Sequence, residues 1–197
     1  MQQLLAFSAC IDRISKRLGS WLAWLVLITT LVCAYNAVVR KVFNVSSNGL
    51  LEIQWYLFGA VFLLGAAYTL ADNAHVRIDV LSQRFSIRTQ LWIDVLGYVL
   101  FMLPLVGFMV MYGWEFAAES LRIREMSADA GGLPRWPAKL LIPAGFSLLG
   151  LQVLAELIKK AAMLTGYLPA MGTQYNANEA EVQSTLNALS QTSQQER

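Results

Sequence analysis

The segment LGSWLAWLVLITTLVCAYNAVV, residues 18–39, runs for 22 residues without a charged side chain. A helix needs about 20 apolar residues to cross the hydrocarbon layer of a bilayer, so this stretch is long enough to span it. Backbone N–H and C=O groups in lipid find no water, which restricts a crossing segment to a helix or a closed barrel. Leu, Val and Ala dominate the run without period-two alternation, and that selects the helix. Outward from it lie three more charge-free runs: Ile53–Ala71 of 19 residues, Val95–Trp114 of 20 and Leu140–Ala155 of 16. The last reaches spanning length by continuing past Glu156 to Ile158, with Lys139 and Glu156 carrying their charges to the interfaces.

These runs predict an all-α, polytopic membrane protein with four transmembrane helices. The spans are expected at about 18–39, 51–71, 93–114 and 138–158 within a membrane domain over 18–165. Residues 1–17 form a segment before the first span. Arg13, Lys16 and Arg17 there resemble the start of a signal peptide, but the apolar run exceeds the roughly 7–15 residues of such a leader, so a retained signal-anchor helix is expected. Residues 166–197 turn polar and form a tail with too little apolar surface to fold alone, expected to be disordered.

Composition agrees. Hydrophobic residues make up 56% of the chain and charged residues 14%, against about 25% charge in an average soluble domain. The six Trp and seven Tyr suit belts at two membrane interfaces. A net charge of +2, with no basic patch and no phosphate-binding loop, gives no sign of a nucleic-acid partner. Cys10 and Cys33 are isolated and read as small apolar side chains.

Lys and Arg set the expected orientation. With the N-terminus cytoplasmic, the inner side holds Arg13, Lys16, Arg17, Arg77, Arg84, Arg88, Lys159 and Lys160. The outer side then holds Arg40, Lys41, Arg122, Arg124, Arg135 and Lys139. Eight against six favours both termini inside.

The connections carry their own signals. Asn44-Val-Ser-Ser-Asn-Gly is a turn that can cap the second helix, with Glu52 expected in the first turn, where the dipole favours a carboxylate. Val76, Val80, Leu81 and Phe85 recur at helical spacing opposite Arg77, Gln83, Arg84 and Arg88, predicting a short amphipathic interfacial helix. Trp114, Ala118, Leu121 and Met126 extend a stripe beyond the third span until Ala130-Gly-Gly-Leu-Pro-Arg-Trp-Pro ends it. Pro137 suits the first turn of the fourth helix, and Pro104 and Pro143 predict kinks.

No residue pattern points to catalysis. His75 is the only histidine, too few for a haem or metal site. Glu52, Asp72, Asp94, Glu115 and Glu156 all mark span ends, where they are expected to reach water or headgroups rather than form an ion pathway. Small residues Gly59, Ala60, Gly65, Ala66 and Ala67, with Gly145 and Gly150, permit close helix approach, within the chain or to a partner. The chain reads as a scaffold with no enzymatic activity and no cofactor of its own. A membrane anchor of a respiratory or quinone enzyme, and a stand-alone small channel or exporter, remain the competing readings.

Three blocks carry a family resemblance. They are Ser47-Asn-Gly-Leu-Leu-Glu-Ile-Gln-Trp-Tyr-Leu-Phe, Phe62-Leu-Leu-Gly-Ala-Ala-Tyr-Thr-Leu and Asn73-Ala-His-Val-Arg-Ile-Asp-Val. With Trp136-Pro-Ala-Lys-Leu-Leu-Ile-Pro-Ala-Gly-Phe, they make residues 15–165 resemble the small, DctQ-like membrane subunit of tripartite ATP-independent periplasmic (TRAP) transporters. The resemblance implies three partners: a large permease subunit of about a dozen spans, a periplasmic substrate-binding protein, and the lipids of a bacterial inner membrane. It implies that the large subunit moves an organic acid with sodium as an elevator, and that sodium binds there and not on this chain. The small subunit would anchor the static scaffold and help dock the binding protein. The matching positions are Glu52, Trp55, Gly65, Ala66, His75, Arg77, Asp79, Trp136 and Pro137. Of these, Glu52 and Trp55 are expected to cap and anchor the second helix. His75, Arg77 and Asp79 are expected to order the turn after it, while Trp136, Pro137 and Lys139 seat the fourth helix.

Overall fold

The computed structural model describes residues 2–44, 47–72 and 85–168. Four helices long and apolar enough to cross a membrane make up most of these residues: α1 Gln2–Phe43, α2 Asn48–Ala71, α3 Ile87–Arg122 and α4 Trp136–Leu164. The expected interfacial helix around Val76–Phe85 falls almost wholly outside the described residues, and the polar tail lies outside them from residue 169.

α1 departs most from its expected bounds. Its 42 residues begin at Gln2, so the segment before the first span is helical and continuous with it. α2 opens where the Asn44–Gly49 turn predicts. Ser47 is extended and its hydroxyl accepts from the Leu50 N–H at 3.4 Å, while Asn44 takes the left-handed conformation at φ 53°. α3 is capped by Ser86, whose hydroxyl accepts from the Thr89 N–H.

The disturbance expected at Pro104 takes the form of a π turn over Tyr98–Met102. A helical proline lacks its N–H and its ring crowds the carbonyl four residues back; a widened turn just before it relieves both. Pro143 sits inside α4, buried, and its carbonyl accepts from the Ser147 hydroxyl at 2.6 Å. Its missing N–H removes the helical donor for the Lys139 carbonyl.

α4 is the hub. It packs on α1, α2 and α3, and α1 also packs on α2. Within their most apolar windows, 44% of α4 is buried against 17%, 17% and 6% for α1, α2 and α3. The core joins Leu70 of α2, Val106 of α3 and Leu149 and Val153 of α4, with Ala66, Tyr98 and Phe146 packed around them.

Small residues divide between inside and outside. A methyl group on Gly145 would stand 2.8 Å from the Leu63 carbonyl oxygen, so α4 touches the α2 backbone there. Ala67 is fully buried. Gly59 instead faces open space, where an added methyl meets nothing.

Candidate functional site

Polar side chains collect at the two ends of the bundle. At one end the connection between α3 and α4 folds back onto the start of α2. Arg124 takes the left-handed conformation at φ 50° and turns the chain. The Ser127 N–H then donates to the Leu133 carbonyl at 3.1 Å, and the Arg135 N–H to the Glu125 carbonyl at 3.0 Å. The result is a narrow loop with an antiparallel bridge between Met126 and Pro134.

Glu52 holds this loop. Its carboxylate is buried, accepts from the Leu133 N–H at 2.6 Å and accepts from the Ser127 hydroxyl. Its place corrects the sequence reading in two respects. Glu52 lies beyond the first turn of α2, which contains no acidic residue, and it turns into the protein rather than to water. The reason is the loop: a backbone N–H and a hydroxyl replace the hydration that the carboxylate gives up.

Neighbours complete the clamp. The Asn48 amide donates to the Ala130 carbonyl at 3.0 Å, and the Tyr56 hydroxyl to the Pro134 carbonyl at 3.1 Å. Gly132 is required by the fit, since a methyl group there would stand 2.8 Å from a Glu52 carboxylate oxygen and closer still to Ser127. At the loop's base Lys139 donates to Glu125 and lies 3.9 Å above the centre of the Phe116 ring. The Lys139 ammonium holds the Glu125 carboxyl below the usual carboxylate range.

The other expected residues separate. Trp55 is 71% exposed and points outward. Gly65 faces α1, where a methyl group would touch Leu22 at 3.6 Å. Trp136 and Pro137 open α4. His75, Arg77 and Asp79 lie outside the described residues.

At the opposite end a polar seam joins α1 to α4. Fully buried Gln152 donates to Asp12 at 2.7 Å and accepts from the Ser15 hydroxyl at 2.8 Å. The Ser8 hydroxyl donates to the Ala155 carbonyl at 3.2 Å. Lys159 bridges Asp12, at 3.0 Å, and Glu156. Lys160 pairs with Asp94 of α3 at 2.6 Å, and Lys16 with Asp72 after α2 at 3.0 Å. The Lys16 ammonium lowers the Asp72 carboxyl against the opposing effect of partial burial.

Glu156, expected to reach water or headgroups, is instead 4% exposed. Lys159 supplies the counter-charge that makes its burial tolerable. Asp12, Ser15 and Gln152 carry no signal of this role in the sequence. The nearest clue is that Asp12 interrupts a helix-compatible apolar pattern from Leu4 to Leu18.

Chemically, both ends fasten backbone and helices to one another: the carboxylates are engaged by lysines, hydroxyls and backbone N–H groups. No curated protein matches the chain. The family described as tripartite ATP-independent periplasmic transporters, DctQ component, matches residues 29–163, a stretch that takes in the end of α1, all of α2 and α3 and nearly all of α4. By that match and by its four membrane-crossing helices, the chain belongs to the DctQ component family of TRAP transporters.

Proposed function

We propose that this chain is the static scaffold subunit of a sodium-coupled, binding-protein-dependent importer of an organic acid. It anchors and stabilises a large elevator-type permease subunit in the inner membrane, with both of its own termini cytoplasmic. Sodium and substrate bind the large subunit. The Glu52-clamped loop then faces the periplasm and offers the binding protein a rigid surface, and the Asp12–Gln152–Lys159 seam closes the cytoplasmic end. The chain performs no catalysis.

The observation that carries this reading is the fastening of the bundle at both ends, by Glu52 with Ser127 and Leu133 and by Gln152 with Asp12 and Ser15. A subunit that must stay still while a partner moves needs its own helices fixed at both faces. Co-expression with the large permease and binding protein tests it. The three are expected to support sodium-dependent uptake of a carboxylate substrate that stops when this chain is deleted. Unchanged uptake after deletion overturns the scaffold role.

A further inference from the structure

Residues 2–17 continue the membrane-crossing helix without a break, so they emerge directly at a bilayer surface. The 42 residues of α1 amount to about 63 Å, roughly 20 Å more than a bilayer with its headgroups. Yet the segment does not project past the bundle. Ser8, Asp12 and Ser15 all bond to α4 between Gln152 and Lys159, short of its end at Leu164. Residues 8–15 of α1 therefore lie alongside about the last three turns of α4, at one end of the bundle.

The surface that α4 leaves uncovered is amphipathic. Leu4, Phe7, Ile11 and Ile14 recur at helical spacing. Ile11 is buried, but Leu4, Phe7 and Ile14 are 51%, 50% and 50% exposed. Arg13 and Arg17, four residues apart and both exposed, stand on one face beside this stripe. Among the described residues neither pairs with a carboxylate, whereas Lys16 between them is engaged by Asp72.

We infer that residues 2–17 form an anchor at the membrane surface that docks on anionic phospholipid, with Arg13 and Arg17 on the headgroup phosphates and Leu4, Phe7 and Ile14 toward the acyl boundary. Continuity with the span places the segment against lipid, and two exposed cations flanking an apolar stripe match a negatively charged bilayer surface. Each arginine adds roughly fivefold to the preference for anionic lipid, about 25-fold for the pair.

Depth measurements on the full chain test this. Cys10 and Cys33 are replaced by serine, and nitroxide labels are placed one at a time on Leu4→Cys, Phe7→Cys, Ile14→Cys and Ala6→Cys. Ala6 is exposed and shares the helix face of Arg13 and Arg17, two and three turns further on, so it reports the polar side. Vesicles are phosphatidylcholine alone or equal parts phosphatidylcholine and phosphatidylglycerol. Labels at 4, 7 and 14 are expected to collide with oxygen and be shielded from a water-soluble nickel chelate, the label at 6 the reverse, with the contrast deeper in phosphatidylglycerol. R13Q/R17Q should lose the preference for spin-labelled phosphatidylglycerol and R13K/R17K keep it. Equal nickel access at all four sites overturns the proposal, as does an unchanged lipid preference in R13Q/R17Q. Labels shielded from both reagents in the assembled transporter, whatever the lipid, assign the face to a protein partner and also overturn it.

Discussion

The Gln152 side chain on α4 donates to the Asp12 carboxylate on α1 at 2.7 Å, joining residues 140 positions apart through an amide that is fully buried. Both functions of the amide are used, since its oxygen accepts from Ser15. Leucine at 152 has similar bulk and neither function. Q152L is expected to lower stability by roughly 1–3 kcal/mol, because Ser15 and Asp12 lose the partner that compensates their burial. Thermal unfolding in nanodiscs measures it, with Thr30→Val as the reference, since Thr30 is exposed and bonds only within its own helix.

Glu52 offers two acceptor oxygens to two donors, Ser127 and Leu133. E52Q keeps the shape but turns one of those oxygens into a donor. The loop at 123–135 is then expected to be cut faster by added protease, and the Leu133 amide to exchange faster with deuterium. S127A, which removes one bond and leaves the Leu133 contact, is expected to show the smaller change. Equal protection in E52Q and wild type would show that the loop is held by other contacts.

Gly145 lies so close to Leu63 that a methyl group cannot enter without moving backbone. G145A is expected to cost about 1–3 kcal/mol by forcing α2 and α4 apart. G59A, facing open space, is expected to be neutral or slightly stabilising through helix propensity. The difference between the two melting temperatures is the measurement.

Asp72 titrates below its usual range because the Lys16 ammonium favours its charged form. A depressed carboxylate contributes stability above the unfolded value, about pH 3.9, and loses it as pH falls through the lower folded value. Wild type is therefore expected to exceed D72N in melting temperature by a constant margin above about pH 5, with the margin shrinking on further acidification. A margin independent of pH down to the acid limit would separate Asp72 from Lys16.

The spans are legible because a charge-free count reports directly what lipid tolerates. The same count stops at Leu18 and hides residues 2–17 of α1, where Asp12, Arg13, Lys16 and Arg17 interrupt the apolar run without interrupting the helix. Glu52 stands out in the sequence, but its role depends on Ser127, 75 positions away, and no local spacing encodes that. Lys159 and Lys160 look interchangeable in sequence. One residue of helix rotates them by about 100°, so the first reaches Asp12 on α1 and the second Asp94 on α3. Glu156 is legible as a span-end charge but not as a buried one, because its burial is set by Lys159 and by the closeness of α1.

Since α4 alone among the described helices packs on the other three, the fourth span to leave the ribosome is the one that ties the bundle together. Before Trp136–Leu164 enters the bilayer, α1 and α2 pair as a hairpin while α3 has no extensive helix contact to rest on. Gln152, Lys159 and Lys160 then arrive together and close the assembly. A nascent chain stalled ahead of Trp136 leaves Asp12 without Gln152 and Lys159 and the Leu63 backbone without Gly145, and presents membrane quality-control proteases with a recognisable unfinished product.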